Sequence, residues 1–352
     1  MAVLNDIKPL LFGARIFGCT PHEITDRELV ITKVGQFYSF FIAILFTSVC
    51  MLDFYLNVHE IIEFKLRLLV GLRVCLYYFC VFADAIITMA CNKSLCLTIS
   101  RLHSFDVATK FAENMSSRLN KSCQFIVVIV IFYWGIVGYL TYLCETRYVI
   151  FNGVVYGIVN ATMSMQILKF IGMLVLLYQR FQHLDKLVVQ RNNAIESMSL
   201  QDIRWLHHTL VTSAEEINTI YTTQLFVWIS INSLNGLSRI YTLTTTGYDQ
   251  EIFIKIRDSF SIIACSVNLF IISACSHFTA VRANNIGIST FLPQFSMRRK
   301  KTLDNVEVMA YFCLKKLHFS AAAGLIQVDL PLLLTIAGAI TTYLVILHAM
   351  NP

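Results

Sequence analysis

Seven stretches of this chain are apolar and long enough to cross a bilayer, and no other feature limits its fold as strongly. A helix needs about 20 predominantly apolar residues to span the hydrocarbon layer. The candidates are 34–56, 66–90, 123–143, 154–178, 217–241, 255–278 and 328–350. Their apolar residues run on without alternating, so a barrel-strand reading fails. Composition agrees: 56% of residues are hydrophobic and 14% charged, against about 45–50% and 25% in soluble domains. The sequence therefore predicts an all-α polytopic membrane protein with seven transmembrane helices, forming a single domain over 1–352. It excludes a disordered chain, a coiled coil and an ordinary soluble enzyme.

Charge sets the expected orientation. Of the 28 Lys and Arg, twenty lie in 1–33, 91–122, 179–216 and 279–327, and only Lys65, Arg67, Arg147, Lys255 and Arg257 flank the opposite ends. Positive charge favours the cytosolic side, which predicts a cytosolic N-terminus and an extracellular C-terminus. The N-terminal 33 residues lack the ordered pattern of a cleaved signal peptide. On this topology the sequons at Asn92, Asn114 and Asn120 are cytosolic and unglycosylated, and that at Asn160 lies within a span. The long inner segments carry helical patterns over about 96–119, 202–216 and 303–317, read as cytosolic anchor extensions. The basic run Arg298-Arg299-Lys300-Lys301 reads as an inner-leaflet anchor, with no nucleic-acid role.

Catalytic and metal chemistry find little purchase here. Eleven cysteines form no C-x-x-C pair and sit mostly inside apolar runs, as packing residues do. His207 and His208 are adjacent and diverge on a helix, without further ligands nearby. His103 and Asp106 read as a solvated helix face. No cofactor, metal or enzyme activity is expected.

Polar residues inside the spans are more telling, because ionisable groups at membrane depth face protein or water. Arg73, Tyr77, Cys80 and Asp84 are spaced by four, three and four, and so share one stripe. Asp84 and Lys169 fall at similar depth and are expected to form a structural ion pair. Nearer the outer surface, Arg73, Tyr77, Trp134, Tyr139, Tyr156, Asn160, Trp228 and Asn232 offer aromatic walls with a few hydrogen-bonding groups, the make-up of a small-molecule pocket. The same aromatic residues also suit an interfacial belt.

The C-terminal thirty residues carry a resemblance. They read Phe319-Ser320-Ala321-Ala322-Ala323-Gly324-Leu325-Ile326-Gln327-Val328-Asp329-Leu330-Pro331-Leu332-Leu333-Leu334 and continue to Thr341-Thr342-Tyr343-Leu344-Val345-Ile346-Leu347. This resembles the C-terminal signature of the insect gustatory receptors, relatives of the insect odorant receptors. The resemblance implies a tetrameric ligand-gated cation channel whose seventh helices line a central pore and whose inner helices hold the subunits together. Where that family usually ends in an apolar residue and Gln, this chain has His348 and Ala349. The expected pore-lining residues are Thr342, Val345, Ile346 and Ala349, which share a helix face, with Met350 beyond them. His348 reads either as an interfacial side chain or as a charge at an outer pore mouth.

The expected function is thus a tastant-gated, non-selective cation channel subunit for taste, in the plasma membrane of chemosensory neurons. Its expected partners are a small-molecule tastant, the lipid bilayer and other gustatory receptor subunits. The alternatives are a metabotropic seven-helix receptor and an accessory subunit that needs a co-receptor. The first is disfavoured by the predicted orientation and by the absence of D/E-R-Y and N-P-x-x-Y motifs.

Overall fold

The structure is a computed structural model that describes residues 7–24, 29–58, 64–111, 116–144, 149–193, 198–245, 252–296 and 303–349. Met350, Asn114 and the basic run 298–301 lie outside the described residues. A short helix α1 (Lys8–Ile16) and an antiparallel strand pair, β1 (His22–Ile24) with β2 (Leu29–Ile31), come first. Then follow α2 (Lys33–Asp53), α3 (Phe64–Ala90), α4 (Asn92–Thr109), α5 (Ser116–Cys144), α6 (Val149–Asn193), α7 (Leu200–Thr245) and α8 (Ile252–Ser296). The chain closes with α9 (Leu303–Leu314), the strand pair β3 (Ser320–Ala321) and β4 (Ile326–Gln327), and α10 (Leu330–Ala349). The fold is all-α, as its apolar runs predict.

Five helical stretches of the described residues, in α2, α5, α6, α8 and α10, are long and apolar enough to cross a membrane by length and composition alone. Helices α6, α7 and α8 have 45, 46 and 45 residues, about 68 Å each at 1.5 Å per residue. Each outruns a hydrocarbon layer of about 30 Å. The expected inner helix 202–216 and span 217–241 are therefore one continuous rod, α7. Its start is a reciprocal cap: Ser199 Oγ accepts from Asp202 N at 3.0 Å, and Asp202 Oδ2 accepts from Ser199 N at 3.1 Å.

The expected inner helix over 96–119 needs correction. Helix α4 ends at Thr109, where Lys110 turns left-handed at φ 52° and its N–H bonds back to Asp106. Asp106 is not on a solvated face either. It is buried and takes two hydrogen bonds from Arg180 of α6, at 2.8 and 2.6 Å.

The core runs along α6, whose side chains from Val159 to Leu184 are nearly all buried. Helix α5 packs against it most closely where glycines face each other. A Cβ built on Gly138 would lie 2.8 Å from Gly153 O, and one on Gly153 would lie 2.9 Å from Gly138 O. Such backbone approach is how helices without a hydrophobic drive associate in lipid.

The small residues before α10 have a local cause. Ala322, Ala323 and Gly324 adopt φ of 52°, 56° and 99°, a left-handed turn in which large side chains are costly. The turn closes β3 on β4, Val328 N bonds Phe319 O at 2.9 Å, and Asp329 Oδ1 caps α10 by accepting from Leu332 N at 3.2 Å.

Candidate functional site

The polar stripe of α3 points into the bundle, and each member meets a partner from α6 or α7. Arg73 Nη1 donates to Asn235 Oδ1 at 3.4 Å, and Tyr77 Oη donates to Asn160 Oδ1 at 2.6 Å. Cys80 Sγ reaches Gln166 Oε1 at 3.3 Å, and Asp84 Oδ1 lies 3.4 Å from Lys169 Nζ. Lys169 also donates to Cys19 O at 2.9 Å, and Gln224 Nε2 donates to Asp84 Oδ1. Asp84 and Lys169 are both buried, so each lowers the cost of the other's charge.

Toward the Arg73 end the stripe opens into a connected cluster. Asn160 Nδ2 donates to Tyr156 O at 2.8 Å, and the Tyr156 hydroxyl shares a hydrogen bond with Ser261 Oγ at 3.0 Å. The Arg239 guanidinium lies 5.2 Å above the Tyr156 ring and donates to Asp258 Oδ1 at 2.7 Å. Arg257 donates to the same oxygen at 3.0 Å. Arg239 Nε and Asp258 Oδ2 are buried with no hydrogen-bond partner among the described residues. Polar capacity held this way is costly.

Beside this cluster, between α5 and α6, lies a groove of about 550 Å³, within the usual 300–1,000 Å³ range of small-molecule sites. Its walls include Trp134, Tyr139, Tyr142, Ile150, Val154 and Ile158, and its floor is formed by Gly135, Gly138, Gly153 and Gly157. Among the described residues no charged side chain lines it. Trp134 is the partition between groove and cluster. Its indole donates to Ser164 Oγ at 2.9 Å, and its ring meets Tyr156 edge-on at 6.4 Å.

The eight expected pocket residues therefore fall into three groups. Arg73, Tyr77, Tyr156 and Asn160 converge in the polar cluster, while Trp134 and Tyr139 line the groove. Trp228 and Asn232 lie elsewhere. Trp228 is fully buried against Phe170 and Tyr221 with its indole on Gln166 Oε1, and Asn232 Oδ1 accepts from Asn268. Sequence reading missed Asn235, Arg239, Asp258, Ser261 and Cys265. Their signal was present as spacing: 232, 235 and 239 on α7, and 258, 261 and 265 on α8, each recur at three then four residues and share a face.

The expected pore-lining residues lie on α10, which buries none of its side chains. Thr342, Val345, Ile346 and Ala349 are all exposed, and Thr342 Oγ1 bonds Gly338 O of its own helix at 2.9 Å. His207, on the N-terminal part of α7, is buried beneath α9. Its Nε2 faces Ala283 O at 3.0 Å and must donate there, so Nδ1 accepts from the Tyr311 hydroxyl at 3.0 Å. Burial pushes this imidazole down to about 4. His208 is exposed, and no group of three or more metal-ligating side chains occurs among the described residues.

A family model described as 7tm chemosensory receptor matches residues 7–348. Over 159 residues the chain is 27% identical to a Drosophila melanogaster protein that carries the name gustatory receptor 28b, a match covering 42% of this chain and 33% of that one. The alignment thus spans about a third of the relative's length. The fold is similar to the insect olfactory receptor OR5 of Machilis hrabei, with a TM-score of 0.71, 14% identity and 98% of each chain covered. The structure of OR5 in complex with eugenol matches with a TM-score of 0.64, 14% identity and the same coverage. At that identity the likeness is one of fold.

Proposed function

Because the chain belongs to the 7tm chemosensory receptor family, we propose that it is a taste receptor and a subunit of a cation channel opened by a small, uncharged, mainly apolar molecule. The observation that carries the channel reading is α10. It is long and apolar enough to span a membrane, yet none of its residues is buried by its own chain. A helix in that position is free to pack against copies of itself or related subunits around a central path. Thr342, Val345, Ile346 and Ala349 would line it, with Met350 at its outer end. A stripe of small or β-branched residues with one hydroxyl suits a conduit that closes by dewetting.

The ligand would enter the α5–α6 groove against Trp134, with Tyr156, Arg239 and Asp258 behind that wall. The groove's apolar lining and the eugenol complex of the similar OR5 fold support this class of ligand. The N-terminus is cytosolic in this reading, the long inner ends of α6, α7 and α8 with α4 and α9 form the anchor, and the site of action is the plasma membrane of chemosensory neurons.

Single cysteines placed along 338–349 test the channel in cells that respond to a tastant panel of sugars and plant alkaloids. Modification by a water-borne thiol reagent changes the current at positions 342, 345, 346 and 349. Indifference along the whole stretch would remove α10 from the pore.

A further inference from the structure

Helix α10 meets the rest of the chain along one half-buried face, which includes Ile340, Leu344 and Leu347, and is held more firmly at its two ends. At the inner end Leu332, Leu333 and Ile336 pack on the main core. At the outer end His348 Nε2 lies 2.9 Å from Thr244 Oγ1, and its ring lies 5.7 Å from the ring of the buried Tyr241. Gly338, Thr341, Thr342 and Val345, between these points, are exposed.

The His348–Thr244 hydrogen bond joins two groups that can each donate or accept. Thr244 Oγ1 is 3.0 Å from both Ile240 O and Tyr241 O, which can only accept. The single hydroxyl hydrogen goes to one of these carbonyls, in which case His348 Nε2–H donates, or to His348 Nε2 itself. Gln, whose side-chain amide both donates and accepts at similar reach, can replace the imidazole in either case. Ala cannot.

Thr244 and Tyr241 belong to the same helix end as Arg239, one turn away. Arg239 stacks on Tyr156 and pairs with Asp258 in the polar cluster behind Trp134. We propose that the His348–Thr244 contact is a coupling clasp, through which the outer end of α7, and with it the Arg239–Tyr156 cluster, sets the position of the outer end of α10. The clasp deepens the channel reading and rests on it. Its effect on gating follows from direction: the half-buried Ile340, Leu344 and Leu347 give α10 an apolar face that can slide, whereas the hydrogen bond at its tip favours one position.

The first test reads the geometry alone, with zinc as the probe and the full chain purified in detergent. In Thr244→Cys a thiolate takes the place of the hydroxyl beside His348. Zn²⁺ binds cysteine sulfur at about 2.3 Å and imidazole nitrogen at about 2.0–2.1 Å, so this variant takes up an additional Zn²⁺ per chain over the unmodified protein. Thr244→Cys combined with His348→Ala does not. Absence of the additional zinc overturns the clasp.

The second test reads coupling as basal cation flux from phosphatidylcholine vesicles carrying the purified protein. His348→Ala and Thr244→Val each shift the flux in the same direction by about fivefold, the effect of one hydrogen bond on a two-state balance. The double variant shifts it no further, and His348→Gln restores it. Additive effects, or no effect of either single variant, overturn the coupling role. Vesicles of unmodified protein that carry no flux at all count against the channel reading, while the zinc measurement still decides whether the clasp exists.

Discussion

Helices α6 and α10 are both long apolar helices, and the chain treats them in opposite ways. In the most apolar stretch of α6, 83% of residues are buried, whereas in α10 the figure is 0%, although α10 is the more apolar of the two. Helix α6 also carries Asn160, Gln166, Lys169 and Arg180, each held by a partner on α3, α4 or α7. The more polar helix is the central one. In lipid, apolar side chains gain nothing by moving from hydrocarbon into protein, and polar ones gain partners. Position within such a bundle is set by hydrogen bonds and close backbone packing, and a purely apolar helix is left at the edge for neighbours or lipid to cover.

The sharpest way to break this contrast is at Lys169. Lys169→Leu leaves the buried Asp84 carboxylate with Gln224 alone, and removing one partner of a buried pair costs about 3–5 kcal/mol. Thermal unfolding in detergent should show a large loss, much of it recovered by Asp84→Asn combined with Lys169→Gln. A Lys169→Leu protein as stable as the unmodified chain would mean that the pair does not hold α6 in place.

A glycine pair makes the next comparison. Gly138→Val forces a side chain into the backbone of Gly153 and should cost about 1–3 kcal/mol. Gly338→Ala on α10 meets nothing within 4 Å and should stay within about 0.5 kcal/mol. Equal losses in the two unfolding curves would dissolve the distinction between packed and unpacked helices.

The buried histidine of α7 gives a pH test of the packed side. His207 titrates at about 4 in the folded chain and at about 6.5 unfolded. Its folded value is depressed, so the unfolded state binds the extra proton, and stability is lost as pH falls from about 6.5 toward 4. Between pH 7.5 and 5.5 the loss from this group should be about 1 kcal/mol. His207→Leu should flatten that dependence, and His348→Gln should leave it as it was. A slope unaffected by His207→Leu would assign the dependence to other groups.

The smallest expected effect is on α10. Leu334 is 79% exposed, so Leu334→Ala should change unfolding of the detergent-solubilised single chain by no more than about 0.5 kcal/mol. A large loss in the single chain would mean that α10 packs on its own bundle after all.

The Arg73–Asp84 stripe was legible because helical spacing places those residues on one face, and the depth match of Asp84 with Lys169 was legible because both sit at comparable distances along spans of known direction. Asn235, Arg239 and Asp258 escaped notice for want of neighbours. Their spacing marks a face, but nothing in the residue order says that α7 and α8 turn those faces toward Tyr156. Trp228 shows the converse: an aromatic residue suited to a pocket wall is enclosed by Phe170 and Tyr221 one layer further in.

Residue order alone settled the all-helical class, the apolar segments and the ionisable residues that need partners. These follow from transfer out of water, from backbone sterics and from the cost of buried charge, and all three act locally. The tertiary structure decided which apolar helix becomes the core, where the groove beside Trp134 opens, and that His348 meets Thr244. Hydropathy measures departure from water. It cannot distinguish a protein interior from lipid, and only the packed arrangement does so.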